Sequence, residues 1–194
     1  MSNLTTAEVR LSYVNVFKAV SKNGQAPRFS VTLLIPKSDT GTMAKINAAI
    51  EEAAQDGAAN KWNGVRPQKL NTPVHDGDGV RPSDDMPYGD ECNGHWIITA
   101  NANEDRPPAV VGLDRQPIID QSQVYSGMYG YVNVNFFAYN SNGRKGIGCG
   151  LNAIMKSRDG EVLGGGRPSV DAMFGDIPTN APAGRINPLT GQPM

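Results

Sequence analysis

Hydrophobic and polar positions alternate most clearly between Tyr129 and Tyr139, where a period of two predicts a β-strand. One face is typical of a buried core: Met128, Val132, Val134, Phe136 and Ala138. The other face holds four rings and two amides: Tyr129, Tyr131, Asn133, Asn135, Phe137 and Tyr139. Solvent-facing strand positions are usually polar, so this face is unusual. It indicates either a stacking platform for unpaired nucleobases or a surface covered by a second protein layer.

The same kind of pattern predicts further strands at 8–19, 28–36, 96–101, from 109 onward, and at 145–156. In the last of these, glycines 146, 148 and 150 share one face, which lets a ligand or another backbone come close. A single helix is predicted over 39–59, because five apolar residues recur at helical spacing: Met43, Ile46, Ala49, Ile50 and Ala53.

No period is sustained from Asn60 to Gly94, which predicts a long irregular loop. The composition changes again after Gly164, and residues near the C-terminus are rich in proline, glycine and polar residues. We therefore expect one domain over 1–175 with a loop insertion at 60–95, and a flexible, disordered tail over 176–194. Strands, one helix, long loops and a closing hairpin resemble a mainly β OB-fold, a five-stranded Greek-key barrel.

Composition and charge restrict the function less than the strand pattern does. The 194 residues include 22 glycines and 14 prolines, which fits a β-rich body with long loops. No apolar run approaches the ~20 residues of a membrane span, and the polar start from Met1 to Glu8 predicts a cytoplasmic protein. Cys92 and Cys149 suggest no disulfide framework. The net charge is −1, but residues 141–158 contain four bases and no acid, so a local basic groove is compatible with it.

Several motifs together resemble phage-encoded single-stranded DNA-binding proteins, OB-folds related to the corresponding protein of T7-like phages. The motifs lie at 72–78, 81–82, 125–129, 134–140, 142–147, 150–152, 158–165 and 171–174. The resemblance implies coating of exposed strands in phage DNA replication, recombination and repair, in the cytoplasm of the infected bacterial host. Related proteins commonly end in an acidic tail, whereas residues 177–194 contain Arg185 and no acid.

The expected mechanism is electrostatic capture followed by stacking of bases on rings. The predicted stacking residues are Tyr129, Tyr131, Phe137 and Tyr139, with Trp62 contributed by the long loop, whereas Trp96 is assigned to the core. The predicted phosphate contacts are Lys61, Arg66, Lys69, Arg144, Lys145, Lys156 and Arg158. The expected partner is single-stranded DNA, without catalytic residue, cofactor or metal. The sequence leaves open whether the protein contacts phage replication or recombination proteins and whether it forms a homodimer.

Two alternatives remain at this stage. A metal-dependent phage nuclease would need a cation site, for which the long loop offers Asp76, Asp78, Asp84, Asp85, Asp90 and Glu91. An incomplete zinc site could be formed by Cys92, His95 and His75. A β-rich phage structural or assembly protein would instead use the aromatic face as a protein interface.

Overall fold

The computed structural model describes residues 3–163, which form eight strands and one long helix. In chain order the elements are β1 (Asn3–Thr5), β2 (Val9–Val20), β3 (Arg28–Pro36), α1 (Thr40–Asn60), β4 (Val74–Asp76), β5 (His95–Asn103), β6 (Ala109–Val111), β7 (Tyr129–Ser141) and β8 (Arg144–Arg158). Two 3₁₀ turns lie at Asp90–Cys92 and Gln121–Gln123. The predicted strands and helix are confirmed, with ends that differ by a few residues. The predicted tail lies outside the described residues.

Five of the strands close into a barrel. Antiparallel pairs join β2 to β3, β3 to β5, and β7 to β8. The ring closes where β5 meets β8 in parallel at Asn101 and Gly150, and where β2 meets β7 at Val9 and Gly130. The resulting order β2-β3-β5-β8-β7 is that of a Greek-key barrel, so the OB-fold prediction is confirmed.

The inward faces of the barrel and one stripe of α1 form the core. Asp39 starts the helix by accepting a hydrogen bond from the Thr42 backbone N–H at 3.0 Å. The predicted apolar stripe of α1 is buried throughout: Met43, Ile46, Ala49, Ile50 and Ala53. The helix packs mainly against β7, so it supports the strand that carries the aromatic face.

Trp62 lies in this core, and its prediction as a stacking residue of the loop is wrong. Its side chain is 0% exposed, and its indole Nε1 donates to the Tyr139 carbonyl at 3.0 Å. The reason is the way α1 ends: the Trp62 backbone N–H bonds to the Gly57 carbonyl at 2.8 Å, which turns the chain back under the helix. Trp96 packs against the core as predicted, although it stays half-buried, with the Lys37 ammonium 5.0 Å from its ring centroid.

The long loop between α1 and β5 is tied to the barrel at several points. Its strand β4 pairs with β5, and the Ile147 N–H of β8 donates to the Asn71 carbonyl at 2.8 Å. Lys37, which follows β3, binds both Asp76 and Asp78 at 2.6 Å. The loop therefore forms a fixed wall beside the outer face of β3 and β5. Among the described residues, no helix has both the length and the apolar character of a membrane span.

Candidate nucleic-acid interface

The two faces of β7 differ as the alternation predicts. Met128 before the strand and the four inward positions within it are buried, whereas the six outward ring and amide side chains are all half-buried. The outward face is thus neither sealed beneath another layer of residues 3–163 nor fully solvent-exposed. Tyr129 and Phe137 are eight residues apart, which is roughly 26 Å of strand. The rings therefore fall into two groups, one at each end.

At the C-terminal end of β7, two rings lie over glycines of the neighbouring strand. The register places Phe137 opposite Gly148 and Tyr139 opposite Gly146. A Cβ added at Gly148 would lie 2.6 Å from Phe137 Cζ, and one added at Gly146 would lie 2.6 Å from Tyr139 Oη. Only a strand without side chains at these positions leaves room for the rings, so the glycines form a floor for them.

A groove of about 750 Å³ opens beside these rings, and we call it the glycine-floored groove. Its lining is Gln25, Arg28, Asn101, Ala102, Asn103, Arg106, Pro107, Asn135, Phe137, Tyr139, Ser141, Gly148, Cys149, Gly150, Leu151 and Asn152. It brings together two aromatic rings, amide groups and two guanidinium groups. Stacking surface, hydrogen-bonding groups and cations are what an unpaired nucleic-acid strand requires.

Arg28 and Arg106 are the cations of this groove, and the sequence prediction did not include them. Arg28 pairs with Asn103 across β3 and β5, and the Arg106 N–H donates to the Asn103 carbonyl at 3.0 Å. That arrangement brings both arginines to the same rim. Both are exposed, and neither forms an ion pair with any residue between 3 and 163. Their position beside the strand ends of an OB barrel is the signal that could have identified them.

At the other end of β7, Tyr129 is partly covered by its own chain. The Arg158 guanidinium lies 3.6 Å from the centre of the Tyr129 ring, and that of Arg10 lies at 5.8 Å. Arg158 is also held by Glu8 at 2.9 Å. A base could stack only on the part of the ring that these cations leave open. Stacking by Tyr129 and by Tyr131 stays a prediction.

The predicted phosphate contacts fall into two groups. Four have bonded partners: Arg66 pairs with Glu51, Lys156 with Asp159, Arg158 with Glu8, and the Lys61 ammonium donates to the Ala138 carbonyl. The other three, Lys69, Arg144 and Lys145, form no ion pair within the described part of the chain. All seven stay predictions. Lys69, Arg144 and Lys145, like Lys61, have no acidic partner in the described part of the chain, so a phosphate would not compete with a carboxylate for them.

The family model of the single-stranded DNA-binding protein of Enterobacter phage Enc34 matches residues 2–182. The chain belongs to this family. A curated relative, putative protein p50 of Acyrthosiphon pisum secondary endosymbiont phage 1, is 30% identical over 175 residues, covering 87% of this chain and 90% of its own. The family resemblance predicted from the motifs is confirmed.

A solved structure of a family member agrees with this membership, and a second solved structure shares the fold. The single-stranded DNA-binding protein from bacteriophage Enc34 in complex with single-stranded DNA superposes with a TM-score of 0.69 at 25% identity, over 84% of this chain and 89% of that chain. The single-stranded DNA-binding protein gp2.5 of bacteriophage T7 gives 0.56 at 16% identity, over 92% and 96%. The T7 likeness shows the fold alone.

Three of the acidic residues of the long loop form ion pairs within the described chain: Asp76 and Asp78 with Lys37, and Asp84 with Arg81. The pKa values of Asp76 and Asp78 are lowered chiefly by hydrogen bonds from the Lys37 ammonium, whose single positive charge the two carboxylates share. Burial raises the pKa of the Cys92 thiol to about 11, so in the absence of a metal ion this side chain is a neutral thiol at pH 7. Within residues 3–163 no group of three or more His, Cys, Asp or Glu is placed to hold a metal ion.

Proposed function

We propose that this protein binds single-stranded DNA without sequence preference and so protects exposed strands in phage DNA replication, recombination and repair. The observation that carries the proposal is the glycine-floored groove, which is lined by two aromatic rings and by two arginines without ion-pair partners in the described chain. Membership of a family named for single-stranded DNA binding supports it. The site of action that we propose is the cytoplasm of the infected bacterial host.

The groove fits an unpaired strand better than a duplex or a protein partner. Stacking needs bases that are free of their complement, and the rings of Phe137 and Tyr139 can serve any base because every base has a π-face. Arg28 and Arg106 would contact phosphates, which are present at every nucleotide. Contacts of both kinds are independent of sequence. We propose that the protein acts by binding and holding the strand, not by catalysis.

Salt dependence tests the electrostatic part of this proposal. Each phosphate contact on a single strand contributes a slope of about −0.7 to the plot of log affinity against log salt. We therefore expect Arg28→Ala and Arg106→Ala each to make that slope shallower by about 0.7, measured by fluorescence anisotropy of labelled oligo-dT. Lys45→Ala on the exposed side of α1 is the matched control and should leave the slope unchanged.

Two outcomes would contradict the proposal. An unchanged slope in both arginine variants would exclude them as phosphate contacts, and absence of binding by the unaltered protein at low salt would refute the function. Magnesium-dependent loss of the labelled oligonucleotide would favour the nuclease alternative instead. Anisotropy distinguishes binding from cleavage in one sample, since binding raises it and cleavage of the labelled oligonucleotide lowers it.

A further inference from the structure

A second groove, of about 650 Å³, lies between the outer faces of β2, β3 and β5 and the long loop. We call it the loop groove. Residues of the loop between 71 and 92 form one wall, and Ser12, Tyr13, Thr32 and Thr99 contribute to the opposite side. Tyr139 lines both grooves, so the two meet at this residue. A strand lying in the glycine-floored groove therefore reaches the loop groove by passing one side chain.

Tyr13 is the most unusual residue of this second groove. Its φ is +46°, a left-handed conformation that a β-branched or aromatic residue seldom adopts, and its side chain is 60% exposed. It lies in a bulge of β2, where the pairing with β3 shifts register between Ser12 and Asn15. Hydrogen bonds fix this bulge, because Asn15 Nδ2 donates to the Tyr13 carbonyl at 3.2 Å and the Val14 N–H donates to Ser126 Oγ at 3.2 Å.

The bulge aims an aromatic ring away from the core at the cost of backbone strain. Bulges commonly redirect one side chain, and strain of this kind persists where the surrounding structure fixes it. Burial of the ring does not explain the arrangement, since most of the tyrosine remains exposed. A ring presented to solvent beside a groove is a surface on which a planar group can stack.

The rest of the loop groove has the chemistry of a nucleotide site. Thr32 and Thr99 form a hydroxyl pair at 3.1 Å on its floor, offering polar groups to a base edge. Tyr88 supplies a second, half-buried ring. Lys22 lies at the rim, exposed and without an ion pair to any described residue, whereas Arg81 is bound by Asp84.

We propose that the loop groove is a second nucleotide subsite, in which Tyr13 stacks on a base and Lys22 contacts the phosphate beside it. The occupant is the continuation of the single strand held in the glycine-floored groove, so this inference rests on the proposed function. The wall formed by the long loop then extends the binding path beyond β7 and β8. The strand bends around Tyr139, which contacts nucleotides of both subsites.

The test compares four variants by anisotropy of a labelled oligo-dT long enough to occupy both grooves, with urea unfolding of each. Tyr13→Ala is expected to lower affinity about five-fold or more, the lower limit for losing one stacked base. Tyr13→Trp keeps a ring and is expected to retain affinity. Tyr13→Gly removes the ring and the backbone strain together, so affinity should fall while the urea midpoint does not. Phe137→Ala measures how much the glycine-floored groove contributes to binding.

The outcomes separate the two proposals. Weakened binding by Tyr13→Ala and Tyr13→Gly, with retention by Tyr13→Trp, supports the second subsite. Unchanged binding by Tyr13→Ala while Phe137→Ala is weakened overturns the subsite and leaves the proposed function standing. Equally weakened binding by all three Tyr13 variants would show that Tyr13 has a structural role, and so would weakened binding that accompanies a lower urea midpoint. Either result also overturns the second subsite. Absence of binding by the unaltered protein overturns both.

Discussion

Replacing Gly148 with alanine tests whether the glycine floor sets the position of the aromatic platform. The new Cβ would lie 2.6 Å from Cζ and 2.8 Å from Cε2 of Phe137. Favourable carbon contacts need about 3.5–4.0 Å, so the ring must move by roughly 1 Å or tilt away from β8. The backbone itself tolerates alanine, because Gly148 is not among the residues with positive φ. The substitution therefore acts on the ring above and leaves the strand pairing in place.

The expected magnitudes follow from this geometry. Loss of one stacked base weakens binding by about 1–3 kcal/mol, which is about 5- to 150-fold in dissociation constant. Overpacking costs about 1–3 kcal/mol of folding free energy, offset by about 0.4–1 kcal/mol because alanine restricts the unfolded chain. We expect Gly148→Ala to lose about 0–2.6 kcal/mol of stability, and its loss of affinity for oligo-dT to exceed its loss of stability.

A double-mutant cycle makes the test specific. In a Phe137→Ala background the added methyl group meets no ring, so Gly148→Ala should cause no further loss of affinity or stability. Gly41→Ala near the start of α1 is the control, because its new Cβ meets only Asp39 Oδ1 at an ordinary 3.8 Å. Anisotropy and urea unfolding measure both quantities. Independent effects of the two substitutions, or full affinity in Gly148→Ala, would refute the role of the floor.

Two further predictions concern the core and the long loop. Trp62→Ala should lower the free energy of unfolding, measured in urea, by about 3–5 kcal/mol. The affinity of the folded fraction for oligo-dT should not change. Weakened binding without a loss of stability would instead show that Trp62 belongs to the binding site. In the folded protein, Lys37 lowers the pKa values of Asp76 and Asp78 below the ordinary 3.8. The stability that these two carboxylates give to the loop is therefore fully present above that pH, and it is lost as the pH falls through the lowered pKa values. Hydrogen exchange at acid pH should therefore show the loop opening before the barrel, and Lys37→Met should remove this pH dependence; simultaneous opening of loop and barrel would contradict it.

The sequence was sufficient for β7 because the relevant information is local. Alternation with a period of two determines which side chains share a face, and the core then selects the apolar face for burial. The helical stripe of α1 was predictable for the same reason, since Met43, Ile46 and Ile50 recur at helical spacing whatever they pack against. Both predictions depend on period alone.

Trp62 and the two groove arginines depend on contacts distant in sequence. Nothing near Trp62 shows that the chain turns back beneath α1 and directs the indole to the Tyr139 carbonyl, 77 positions away. Arg28 and Arg106 are ordinary exposed cations in the sequence, and only the β3–β5 register brings them to one rim through Asn103. Contacts between residues so distant in sequence form only when the barrel closes. No local pattern specifies them.

The three alternate glycines of β8 favour a stacking surface over a protein-assembly interface. Glycine within a strand is unfavourable by roughly 0.5–1 kcal/mol relative to alanine, and a protein interface could be built on alanine or valine at these positions. Gly146 and Gly148 instead leave room for the rings of Tyr139 and Phe137, and Gly150 leaves room for the Asn135 side chain. Cations without an ion-pair partner among residues 3–163 lie along the same groove. Because an apolar partner would leave those charges desolvated and unpaired, a polyanion with planar bases fits this surface better.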